Sequence, residues 1–171
     1  MGVLLRGLAG HPLHPPLTDV TIGLYTFATA AAVLSRLGVS EPNLTTAWWL
    51  ALIGGLIVTA PTAITGFADW LTISTGTPLW RTATLHLTAM VSATIVFAIA
   101  AGAGHADYVD QAVGGGSLVL MLIGYGLLAF GGWLGGAIVF VHGMRVLNLV
   151  DEPAKRAASP VPHPEKEEAE A

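Results

Sequence analysis

The chain has 171 residues, 53% of them hydrophobic and only 11% charged, with a mean hydropathy of +0.68. Soluble domains average about 25% charged residues, so lipid rather than water is the expected solvent. Cysteine is absent and the net charge is −4, which excludes disulfides, thiolate metal sites and a Cys nucleophile, and no basic patch suggests nucleic acid as a partner.

In chain order, Met1 to Gly10 is too short for the apolar region of a signal peptide, and His11-Pro-Leu-His-Pro-Pro16 interrupts it. The first long apolar run is therefore expected to stay as an anchor. A bilayer core of about 30 Å needs about 20 apolar residues in a helix. Four segments qualify, at about 17–37, 47–68, 83–104 and 116–142. Pro15-Pro16 precede the first helix, where a fixed φ and a missing donor are tolerated. Glu41-Pro42-Asn43 and Gly76-Thr77-Pro78 mark turns, Gly114-Gly115-Gly116 opens the fourth helix, and Pro61 is expected to kink the second. From Asp151 to Ala171 the chain is charged and rich in Pro and Ala, which reads as a disordered tail after a membrane domain over 1–150. No internal repeat is apparent. The fold expected is all-α, an integral membrane four-helix bundle.

Four spans put both termini and the middle loop on one side. That side carries Arg6, Arg81, Arg145, Lys155, Arg156 and Lys166, against Arg36 alone on the other. The bias predicts cytoplasmic termini in a bacterial plasma membrane. Trp48-Trp49 and Trp70 with Trp80 fall near opposite helix ends, as interface anchors do.

Histidine is costly within a membrane and usually faces the bundle interior. Of six histidines, His105 falls in the outer loop and His163 in the tail. The other four share one face: His11 and His14 before the first helix, His86 a turn into the third, His142 at the end of the fourth. Asp19, Asp69, Arg81 and Arg145 belong to the same face. His142 shares a helical stripe with Gly135 and Gly131, and the interleaved Gly131-x-x-x-Gly135 and Gly132-x-x-x-Gly136 motifs suit close helix approach. The same stripe suits a homodimer.

Imidazoles from different helices suit the two axial positions of a b-type haem. His86 and His142 are the leading pair and His14 the next candidate. Arg81 and Arg145 are candidates for the propionates. Alternatively, His11, His14, Asp69, His86 and His142 offer ligands to a divalent metal. The rival reading is a non-enzymatic scaffold or accessory subunit, with no cofactor, whose histidines cap helices and bond across the bundle. A transporter fits less well, because no acid or base lies at mid-membrane. No Ser or Thr is paired with His and Asp as a nucleophile, so no catalytic residue is assigned and a stand-alone enzyme is not expected.

Three stretches, Gly10-His-Pro-Leu-His-Pro-Pro-Leu17, Gly66-Phe-Ala-Asp-Trp70 with His86 downstream, and Gly132-Trp-Leu-Gly-Gly-Ala-Ile-Val-Phe-Val-His-Gly143, resemble the bacterial membrane proteins grouped as domain of unknown function 2231. The resemblance implies a four-helix membrane domain in which His11, His14, Asp69, His86 and His142 match the family's polar positions. Some proteins resembling this family carry an added Rieske-type iron–sulfur domain. This chain lacks the Cys for such a cluster, so electron transfer would need a redox partner on a separate polypeptide.

Overall fold

A computed structural model describes residues 12–144. The elements are α1 (His14–Arg36), α2 (Glu41–Trp70), α3 (Pro78–Ala103), α4 (His105–Val109) and α5 (Gly115–Phe140). All but the short α4 are long and apolar enough to cross a membrane. The described residues hold no strand.

The helices begin earlier than hydropathy alone suggests, because their first turns are polar or proline-bearing. Pro15, Pro42 and Pro78 occupy the first two positions of α1, α2 and α3. There the ring removes an N–H that has no helical partner anyway. The Thr77 hydroxyl caps α3 by accepting from the Trp80 amide at 3.1 Å. α2 runs continuously through Pro61. α5 stops before His142, because the chain turns into left-handed backbone at Gly143 (φ +66°).

α1 packs chiefly on α2 and α3 chiefly on α5, while sparser seams join α2 to α3 and α1 to α5. Two hairpins therefore close into one ring. Large apolar side chains such as Phe27, Ile57 and Trp133 lie outside, where lipid accepts them. The interior is built from Ala and Gly around a few aromatics. Tyr25 stacks on Phe97 at the centre, with ring centroids 4.0 Å apart. Its hydroxyl bonds to Thr59 Oγ1 at 2.8 Å. Tyr125, the other mid-span tyrosine, is exposed on the outer face.

At the opposite end from the histidine face, Trp49 stacks on Tyr108 of α4, and His105 meets Trp49 edge-on. Trp48 is fully buried, and its indole N–H has no partner among the described residues. An orphan donor costs about 1–3 kcal/mol. Trp48→Phe is therefore expected to lower stability by less than about 1 kcal/mol, against about 3–5 kcal/mol for truncating a buried aromatic. Unfolding of both variants in detergent checks it, and a Phe loss as large as that of Trp48→Ala would refute the offset.

Candidate functional site

The described members of the histidine face come from three places. His14 opens α1, His86 lies in the third turn of α3, and His142 follows α5. His11 and Arg145 lie outside the described residues, as do His163 and the tail. Asp19 and Arg81 are exposed. Asp69 ends α2 and is near enough to His14 to interact with it electrostatically, as is His86.

His14 Nδ1 lies 3.0 Å from the Thr62 carbonyl oxygen, with the Thr65 hydroxyl at 3.4 Å. Its ring rests against Gly66, where an added Cβ would sit 2.5 Å from Cε1. His86 Nδ1 lies 2.7 Å from the Gly131 carbonyl oxygen. Its ring rests on Gly135, where an added Cβ would sit 3.2 Å from Cε1. A carbonyl only accepts, so each Nδ1 carries the proton and donates. In the neutral ring each Nε2 then holds a lone pair, free to take a proton or a metal.

His142 is held differently. Its Nε2 lies 3.1 Å from Thr82 Oγ1. The Thr82 hydroxyl also donates to the Pro78 carbonyl at 3.2 Å. One hydroxyl has one proton, so it accepts from His142 Nε2–H. Thr82 is one turn before His86 on α3, so His142 sits nearer the end of the bundle than His86 does. An open cleft of about 530 Å³ is lined by Thr72, Ile73, Ser74, Thr77, Leu79 and Met144, with no histidine in its wall.

The glycine stripe divides by face. Gly131 lies under Met90 and Gly135 under His86, whereas Gly132 has no neighbour within 4 Å and Gly136 meets only Phe140. The interior pair thus seats side chains of α3. Sequence reasoning finds the histidines but not what they touch. Thr62 and Gly131 act through main-chain oxygens, and Thr82 is one of many threonines. Gly66 was visible only as part of its Gly-Phe-Ala-Asp-Trp stretch. Trp70, expected at the interface, donates from Nε1 to Thr84 Oγ1 at 3.0 Å and so ties α2 to α3.

The family described as predicted membrane protein (DUF2231) matches residues 10–148. No curated protein and no solved structure matches the chain.

Proposed function

The chain belongs to the DUF2231 family of predicted membrane proteins, and we propose that it serves as a b-type haem subunit carrying electrons within a larger redox assembly. The observation that supports this most is the pair of imidazoles on α1 and α3, each tied by Nδ1–H to a backbone carbonyl. That arrangement fixes the tautomer that leaves Nε2 available to iron. The donor set also favours haem over a bare ion. Zinc takes three or four protein ligands. Among the described residues no three His, Asp or Glu side chains converge. A haem iron is held mainly by its own macrocycle and would need only two imidazoles from the protein, which His14 and His86 would supply.

When bound, the haem would supply one-electron exchange. The chain's own residues hold the two imidazoles on separate helices, each with its Nδ1–H fixed by a backbone carbonyl. Arg81, exposed at the start of α3, suits a propionate. The excess of Lys and Arg on this side supports a cytoplasmic placement in a plasma membrane. The electron donor or acceptor would be a separate protein.

A second reading has its own support. All three described histidines of this face already have hydrogen-bond partners, which is what a structural network in a scaffold subunit requires. Absorption spectra of the purified protein, oxidised and then dithionite-reduced, separate the two, with metal analysis of the same sample. Haem predicts a Soret band with sharp reduced α and β bands. Stoichiometric metal without haem bands would favour a His/Asp ion site. Neither, from cells supplied with haem and metals, would leave the scaffold.

A further inference from the structure

The packing repeats itself, although no repeat is apparent in the residues. His14 donates to the Thr62 carbonyl and rests on Gly66; His86 donates to the Gly131 carbonyl and rests on Gly135. The carbonyl and its glycine are one turn apart in both cases. Farther in, the Tyr25 ring covers Gly55 and the Phe97 ring covers Gly124. The same eleven-residue interval separates His14 from Tyr25, His86 from Phe97, Gly55 from Gly66 and Gly124 from Gly135. Eleven residues make three helical turns, so each pair lies on one face.

Burial follows the same register. Thr21, Tyr25 and Ala28 on α1 match Ala93, Phe97 and Ala100 on α3. Trp48, Leu52 and Gly55 on α2 match Ser117, Met121 and Gly124 on α5. The seams match too, since α1 on α2 corresponds to α3 on α5, and α2 on α3 to α5 on α1. Equivalent residues that touch each other lie on a rotation axis. Tyr25 and Phe97 do touch, so a pseudo-two-fold axis runs between them along the bundle. Parallel repeats about an axis normal to the membrane are a known membrane architecture.

We propose that His14 and His86 are the two halves of one site on this axis, binding a single haem iron between them. This rests on the haem reading above and goes further by assigning the pair. His142 does not belong to it. Continuing the α2-to-α5 register places Ile73 where the second half has His142. Its Nε2 is engaged by the Thr82 hydroxyl, whereas His14 and His86 are each held through Nδ1, which leaves Nε2 as the nitrogen with the lone pair. The two sides of the site differ in polarity. The hydroxyls of Thr21 and Thr65 and the carboxylate of Asp69 on the His14 side have Ala93, Leu134 and Ile138 as counterparts.

The test is haem content and reduced spectra of the full-length protein and three variants: His14→Gln, His86→Gln and His142→Gln. Glutamine keeps a polar N–H on a side chain of similar reach and does not ligate iron, so loss of ligation is separated from loss of polarity. The expected result is one haem per wild-type chain with six-coordinate bis-imidazole bands. His14→Gln and His86→Gln should each lower haem occupancy at least tenfold, and His142→Gln should leave content and bands unchanged. For a variant that loses its helical circular dichroism, the glycine replacement with added free imidazole takes its place, and return of the six-coordinate bands supports the pair. Unchanged bands in His14→Gln together with loss in His142→Gln would overturn the pair and spare the haem reading. A colourless wild-type protein from haem-replete cells would overturn both.

Discussion

Replacing Gly124 by leucine is expected to disrupt the bundle outright. A Cβ at Gly124 would lie 2.7 Å from the Phe97 ring, and one at Gly55 would lie 2.6 Å from the Tyr25 ring. Between them, Tyr25 and Phe97 stack at 4.0 Å with an interplanar angle of 15°. The column therefore runs from the α2 backbone through two rings to the α5 backbone, with no slack at either end. Phe97 is fully buried, so it has nowhere to retreat. Overpacking a tight core costs about 1–3 kcal/mol and occasionally more. Four added carbons against an immobile ring should exceed about 3 kcal/mol. The control is Gly126→Leu on the same helix, where nothing lies within 4 Å. It should be neutral or slightly stabilising, since leaving glycine gains up to about 1 kcal/mol of helix propensity. Unfolding of both variants in one detergent checks the contrast, and equal stabilities would sink the column argument.

The same column explains what was legible in the residues and what was not. Four apolar runs of about 20 residues read directly as four spans, because a bilayer demands that length of helix. Proline and glycine marked the ends to within a few residues. α4 escaped notice because five residues are too few to carry a period. The duplication escaped for a deeper reason. It is written in spacing rather than identity, and the equivalent positions share few residues. Tyr25 and Phe97 need only present a flat ring. Thr62 and Gly131 need only present a carbonyl oxygen, which every residue has. Pairwise likeness between the halves is therefore low, while the roles coincide. Of the histidine face, the residues and their end of the bundle were legible. Their hydrogen-bond partners were not, since Thr62 and Gly131 act through main-chain oxygens and His142 reads as the last turn of a helix until the turn at Gly143 places it outside.

On the haem reading, Gly66→Ala is expected to expel the His14 imidazole and lower haem occupancy tenfold or more, while Gly135→Ala retains most of it. At Gly66 the new Cβ would lie 2.5 Å from Cε1, 3.0 Å from Nδ1 and 3.1 Å from Nε2 of His14. The whole leading edge of the ring is in the way. Any retreat lengthens the 3.0 Å bond from Nδ1 to the Thr62 carbonyl, so one methyl group attacks both the seat and the tether. At Gly135 the corresponding distances to His86 are 3.2 Å to Cε1 and 3.4 Å to Nδ1, and a shift of a few tenths of an ångström suffices. A tenfold loss corresponds to about 1.4 kcal/mol, within the range of a modest packing clash. The two glycines are equivalent in the duplicated hairpins, so their unequal response reads ring clearance separately from position in the fold. Haem content and unfolding are measured on the same samples. Full occupancy in Gly66→Ala would show that iron does not depend on His14 where it now sits. A fall in occupancy with little change in unfolding ties the glycine seat to ligand presentation, because a purely structural histidine would lose stability and leave the bands at their wild-type height.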